Sequence, residues 1–348
     1  EVAALRPDMT PQIARMVATR LGREPWPIRL CYEGTIVRRR QGRARRHRQV
    51  PQAGVELYGA PSPEGDLEVL RLAASALLAA GLRDFVVDLG HASIARALLD
   101  PLPAPLAAEV SDALAHKDDA RIRALLARAP APLARALEAL PDLHGGGPGD
   151  TPAARVFSRA RPLFAGTAAA SALDELEALW TAAHTVDEAL GASLRLDLGE
   201  VRGFAYYTGA IFHLLAEGPG EPIGAGGRYD DLLARFDAPM PAVGFALHLD
   251  AVTWALEAAG ERDAPPPSVL VALGEASARV AGALRDRRIA AAVHPADEAL
   301  AYARAWHFTH LVEPALGGLR VVALGALGEG AGEALGLEAL CQAALGSA

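Results

Sequence analysis

A chain of 348 residues with 51% hydrophobic and 22% charged side chains has the balance of an ordinary globular protein, with length for one large domain and a small one, or for two to three modest ones. A net charge of −8 speaks against coating a long nucleic acid, and no apolar run is long enough to span a bilayer. Cys31 and Cys341 lie far apart without metal-ligand spacing, which argues against a disulfide framework and for a reducing, cytoplasmic setting.

Opening on Glu1 rather than on methionine, the chain reads as a fragment that lacks its first segment. Aromatic residues make up only 5%, so the core is expected to be mainly Leu, Val and Ala. Lys117 is the single lysine among 34 basic residues; this arginine bias reads as a coding bias without a functional message.

Residues 10–22 show apolar positions at helical spacing (Ile13, Met16, Val17, Leu21), with Thr10 as N-cap and Pro11 at the first helical position. Ile28 to Val37 reads as a strand and Gln49 to Leu57 as its antiparallel partner, joined by a long arginine-rich hairpin loop. An amphipathic helix is expected over 64–82, ending at Gly81, then a strand over Phe85–Leu89. Residues 92–190 read as a helical insertion without chemistry, with Gly145–Gly149 as a flexible break. Strands are expected at Leu194–Leu198, Tyr206–Leu215 and Pro222–Gly224, and helices at 230–236 and 247–259. Ala264-Pro265-Pro266-Pro267 is a stiff linker and the natural boundary between a domain over 1–263 and one over 268–348. Beyond it, strands at 269–273, 289–293, 311–312 and 319–324 alternate with helices at 275–287 and 296–305, the pattern of a compact α/β module.

Three blocks bear on chemistry. Arg38 to Gln49 holds seven arginines and no acid. It is either a solvated loop or a grip for phosphate or carboxylate. On the returning strand Gln52, Gly54 and Glu56 share one face, which suits an amine-binding wall better than an apolar core. In the second block Arg202 offers a partner for a carboxylate and Tyr206 and Tyr207 can close over a small ring; alternatively the two tyrosines merely face opposite sides of a strand. Gly224 to Asp230 lacks the third glycine of a dinucleotide fingerprint, having Tyr229 there, and lacks a phosphate-loop lysine. It reads as a tight turn more readily than as a phosphate cradle. Asp8 reads as a helix cap or a site residue. His307 and His310 have no acidic or cysteine partner in a motif, and no metal is expected there.

Together these blocks resemble the catalytic domain of histidyl-tRNA synthetase and its non-synthetase paralogues, the regulatory subunits of ATP phosphoribosyltransferase. The resemblance covers about residues 5–91 and 194–258. It rests on Arg6-Pro7-Asp8-Met9-Thr10, on the match of Val37–Gln52 to class II synthetase motif 2, on Arg202-Gly203-Phe204-Ala205-Tyr206-Tyr207-Thr208-Gly209, and on Gly226-Gly227-Arg228-Tyr229-Asp230. The implied fold is α+β: an antiparallel sheet of the class II synthetase type flanked by helices, dimeric, with motif 1 and much of the dimer interface in the missing N-terminus. The resemblance carries histidine-contacting positions over to Asp8, Thr10, Gln52, Glu56, Arg202 and Tyr207, and makes Arg38 the motif 2 arginine.

The departures are at the nucleotide. Motif 2 of the synthetases has glutamate where this chain has Arg40, and motif 3 ends in arginine where it has Ala251, with His248 for glycine and Asp250 for glutamate. Losing a charge-assisted clamp on a transferring nucleotide costs orders of magnitude in rate. Ala205 departs from the usual aspartate of the histidine block. The resemblance therefore implies a non-catalytic regulatory subunit that binds L-histidine, needs no cofactor, and assembles with the short catalytic subunit of ATP phosphoribosyltransferase. The alternative is an active histidyl-tRNA synthetase. The module over 268–348 faintly resembles an anticodon-binding domain but is not notably basic, so no nucleic-acid partner is expected.

Overall fold

The structure of the chain, a computed structural model, describes residues 5–38, 48–147, 149–200, 206–260, 268–272, 274, 276–315, 318–325, 328–329 and 334–335. It divides into two compact units, Glu1–Glu261 and Arg262–Ala348.

The first unit opens with α1 (Thr10–Met16), which runs on through a π-helical turn at Val17–Leu21. The hairpin β1 (Ile28–Val37) and β2 (Gln49–Tyr58) follows, then α2 (Glu64–Ala79) and β3 (Val86–His91). The expected helical insertion comprises α3 (Ala92–Leu99), α4 (Ala104–Ala115), α5 (Asp119–Leu126), α6 (Ala131–Ala139), α7 (Ala153–Phe164), α8 (Ala169–Val186) and α9 (Glu188–Ser193). It is not purely helical. A two-residue strand, β4 (His144–Gly145), pairs with β5 (Leu194–Asp197), so part of the expected flexible break serves as a sheet edge. The unit finishes with β6 (Ala210–Leu215), β7 (Gly224–Arg228), a 3-10 turn at Leu233–Phe236, β8 (Ala242–His248) and α10 (Leu249–Ala258).

The eight strands form one sheet in the order β1-β2-β8-β7-β6-β3-β5-β4. Every pair is antiparallel except β3 with β5. Alternation along the strands sorts side chains to two faces. Leu57, Phe212, Leu214, Val243, Phe245 and Leu247 pack with α2, α10 and the insertion helices in the main core. Tyr58, Val50, Ile211 and Ala242 belong to a second cluster with Ile13, Ala14 and Val17 of the first helix and with Tyr207 and Tyr229. Gln52, Gly54 and Glu56 project to this second face, as their spacing predicts.

Three local expectations change. Thr10 is the first helical residue rather than the N-cap, because its hydroxyl is committed to Glu56; the Asp8 carboxylate instead accepts from the Thr10 amide at 3.3 Å. Gly224 to Arg228 is a central strand rather than a tight turn. Tyr206 to Gly209 precede the strand that begins at Ala210 instead of belonging to it. The arginines between Arg38 and Arg48, with Arg40 among them, the stretch Val201–Ala205 including Arg202, the proline linker and Cys341 lie outside the described residues.

The second unit holds β9 (Ser268–Ala272), α11 (Ser277–Asp286), β10 (Ala290–His294), α12 (Ala299–Ala305), β11 (His310–Ala315), β12 (Gly318–Gly325), β13 (Gly328–Glu329) and β14 (Ala334–Leu335). β9 is parallel to β10 and β11, and β11 runs antiparallel to β12. Val269 and Val271 face α11, while Leu270 and Ala272 face α12, so the continuous apolar run is that of a strand covered on both sides. His310 is buried with Nδ1 2.9 Å from the Thr309 hydroxyl, and burial lowers its pKa. Among the described residues no helix is long and apolar enough to cross a membrane.

Candidate functional site

Strand register assembles the site. Glu56 pairs with Gly244, and Gly244 with Gly227. Gly54 pairs with Tyr32 on one side and with Ala246 on the other, and Ala246 with Ala225. Cross-strand partners share a face, so a patch of glycines and alanines forms the floor between Tyr32 and the arm Tyr206–Gly209. Two of the glycines are required by contact. A β-carbon on Gly54 would fall within the Tyr32 ring, and one on Gly244 would coincide with the Glu56 carboxyl.

Glu56, 1% exposed, accepts from the Thr10 hydroxyl at 2.6 Å through Oε1 and from the Tyr229 hydroxyl through Oε2. Burial pushes its carboxyl up to about 8, against the two hydroxyls that favour the anion, and nearby Asp8 pushes it further in the same direction. Asp8 is committed through both oxygens, to the Thr10 amide and, at 2.9 Å, to the Tyr206 hydroxyl. Tyr206 stands 5.0 Å from Tyr207 and 5.6 Å edge-on to Tyr229 between ring centres. The two tyrosines of the arm therefore gather on one side instead of facing opposite ways. Burial raises the pKa of Tyr32, Tyr206, Tyr207 and Tyr229, so all four are neutral hydroxyl donors at ordinary pH. Arg38 lies close enough to Tyr207 to oppose that shift.

Gln52 is 3% exposed and its Oε1 has no hydrogen-bond partner among the described residues. A buried amide oxygen without a donor costs about 1–3 kcal/mol, so its place on the same face as Glu56 marks a position that suits a donor from a ligand. The wall thus presents a buried acid, an unsatisfied acceptor and a tyrosine cluster, a combination suited to a small cationic amine with a compact ring.

Asp8, Thr10, Glu56, Tyr206 and Tyr207 converge, with Arg38 beside Tyr207, and Gln52 lies on the same strand face as Glu56; Arg202 lies outside the described residues. Two residues of this wall escape the sequence. Tyr32 is legible only through the register that sets it over Gly54. Tyr229 is hidden inside a segment that reads as a turn. Its neighbour Arg228, 4% exposed, pairs with buried Asp66 at 2.8 Å and also reaches Asp230 at 3.0 Å and the Ala60 carbonyl at 3.2 Å. This pairing fastens the start of the Tyr229 turn to α2.

The motif 3 position offers no cation. Ala251, in the first turn of α10, is 4% exposed within the main core, and residues 242–258 contain neither arginine nor lysine. His248 Nδ1 lies 3.1 Å from the Pro222 carbonyl.

Far along the same sheet, oxygens of Asp88, Asp197 and Glu200 come within 4.8 Å of one another. Burial first, then Asp197 and Glu200, push Asp88 up to about 7, while Lys117 and Arg195 oppose the rise. Lys117 Nζ lies 3.0 Å from Asp197, so an ammonium already meets this cluster. Asp88 lies far in sequence from Asp197 and Glu200, so the three form no linear motif.

The histidyl-tRNA synthetase family model matches residues 1–252. An ATP phosphoribosyltransferase regulatory subunit of Moorella thermoacetica (strain ATCC 39073 / JCM 9320) is 42% identical over 258 residues, 72% of this chain and 63% of that protein's length. One of Syntrophotalea carbinolica (strain DSM 2380 / NBRC 103641 / GraBd1) is 34% identical over 357 residues, covering 98% of this chain and 80% of its own. Among solved structures, that of an ATP phosphoribosyltransferase regulatory subunit/histidyl-tRNA synthetase from Bacillus halodurans C is similar with a TM-score of 0.71 at 28% identity. The likeness covers 88% of this chain and 79% of that one.

Proposed function

The chain belongs to the histidyl-tRNA synthetase family, in its branch of ATP phosphoribosyltransferase regulatory subunits, and from that premise we propose that it binds histidine without activating it. In this reading it is the cytoplasmic regulatory partner of the short catalytic subunit, dimerises through its synthetase-like unit, and is required for that subunit's activity. Histidine bound at Asp8, Thr10, Gln52, Glu56, Tyr206 and Tyr207, with Arg38 and Arg202 for its carboxylate, shifts the complex toward an inhibited state. The coupling between the two sites is a free energy that acts equally in both directions.

The observation that carries the reading is Ala251. The wall suited to an amino acid is assembled, while the position where the synthetases hold their motif 3 arginine is a methyl group packed in the core. A nucleotide's γ-phosphate would meet no cation from that turn, and electrostatic clamping of that kind supplies much of the rate of such reactions.

ATP–pyrophosphate exchange driven by histidine tests the reading. The expected result is no exchange above background, with histidine binding seen by calorimetry and a catalytic phosphoribosyltransferase subunit co-purifying. Robust exchange by the full-length protein assigns the chain to the synthetases instead, the activity named by the matching family model.

A further inference from the structure

The helical insertion reads from sequence as a segment without chemistry, yet its first helix touches the candidate site at three consecutive residues. Arg96 Nη2 donates to the Tyr207 carbonyl at 2.6 Å. The Ser93 hydroxyl donates to the Thr208 carbonyl at 2.8 Å. The Ala92 amide, one of the donors that a helix N-terminus leaves unused, takes the Gly209 carbonyl at 3.0 Å.

The opposite side of the arm is held by β7. Thr208 and Gly209 donate their amides to the Arg228 carbonyl at 2.8 and 3.3 Å, and the Asp230 amide donates to the Thr208 hydroxyl at 3.0 Å. Each carbonyl from 207 to 209 therefore has a donor on α3, and two of the three amides have an acceptor on β7. This is far more than a connecting loop needs, because a surface loop can give its polar groups to water. The arm is also short: Tyr207 carries its ring on the clamped residue, and Tyr206, whose hydroxyl donates to Asp8 at 2.9 Å, is the next residue back.

We propose that Arg96, with Ser93, is a positioning residue of the amino-acid site: α3 holds the backbone of the Tyr206–Gly209 arm so that the tyrosine wall is formed before a ligand arrives. Neither residue touches the ligand. Both act through Tyr207 and Thr208. The proposal rests on the reading of the wall as a histidine site. It gives the insertion a task, since α3 is itself tied to α8 by His91, the residue that caps α3, whose Nε2 lies 3.3 Å from Glu175. A preformed wall binds more tightly because its ordering has been completed on folding.

Hydrogen–deuterium exchange and calorimetry on Arg96→Ala, Ser93→Ala and Arg96→Lys in the full chain test this. Arg96 is exposed on α3, so its truncation leaves the core intact. The expected result for Arg96→Ala is faster exchange confined to the peptide spanning 206–210, histidine affinity weakened about tenfold as for one lost charge-assisted hydrogen bond, and recovery of most of both in Arg96→Lys. Ser93→Ala is expected to move the same peptide in the same direction. Unchanged exchange at 206–210 in both alanine variants overturns the proposal, as does exchange that accelerates throughout the unit. The exchange measurement needs no ligand. A wild-type chain that binds no histidine would refute the site reading alone, and the arm's protection would still decide the role of Arg96.

Discussion

The carboxyl of Glu56 fills the space that a β-carbon on Gly244 would occupy. These two residues face each other across the β2–β8 pair, and the absence of a side chain on one lets the other turn inward to Thr10 and Tyr229. Gly244→Ala is therefore expected to expel Glu56 from its two hydroxyls. Overpacking of this kind costs about 1–3 kcal/mol. The test is chemical denaturation with calorimetry, which should show that stability loss together with loss of measurable histidine binding.

If histidine binds at this wall as proposed, Glu56 is expected to set the pH dependence of binding. In the empty site burial holds its carboxyl at about 8, so it is neutral below that pH. A ligand ammonium beside it favours the anion and pulls its pKa down. Binding then releases a proton, and affinity for histidine is expected to rise with pH up to about 8 and flatten above. Calorimetry in buffers of different ionisation enthalpy measures the released proton. Glu56→Gln should abolish the release and weaken binding by at least about tenfold.

Asp88 gives a separate signature in stability. Its folded pKa of about 7 stands above its unfolded value because burial and two neighbouring acids disfavour the charge. A raised carboxyl stabilises the fold in its neutral form. That contribution is complete below the unfolded value of about 4 and is lost as pH climbs toward 7, at no more than about 1.4 kcal/mol per pH unit. Urea denaturation of Asp88→Asn between pH 5 and pH 8 should show a shallower fall in stability than wild type over that range.

The pairing of Arg228 with Asp66 is the fourth test. Both side chains are less than 5% exposed, so removing one leaves the other charged and buried. Arg228→Met should cost about 3–5 kcal/mol. Combining it with Asp66→Leu should recover much of that loss, a recovery measured by denaturant midpoint.

How far the sequence reveals the site depends on the range of the interaction. Gln52, Gly54 and Glu56 are legible because strand alternation is local, and three polar or absent side chains on one face need an explanation. Thr10 is misread as a cap because a hydroxyl at a helix start normally bonds its own backbone, and only the fold brings Glu56 within reach. Gly224–Arg228 looks like a turn because four glycines or alanines in a row rarely make a strand. Here small residues leave room between crowded neighbours, and that crowding comes from β6 and β8. Tyr229 is lost with the same misreading. Arg96 lies in a stretch whose helical periodicity is plain, but nothing in that periodicity says which carbonyls its guanidinium will meet. The overall class was readable from ordered blocks at compatible separations. The pairing of β4 with β5 was not, since two residues carry no pattern.

Lys117 sits in the turn between α4 and α5 and reaches across to Asp197 at the end of β5. Because no other lysine occurs in the 348 residues, amine-directed reagents meet one side-chain target. A fluorophore placed there would watch a single junction between the insertion and the sheet, so the chain's strong preference for arginine over lysine has left it with a ready-made reporter.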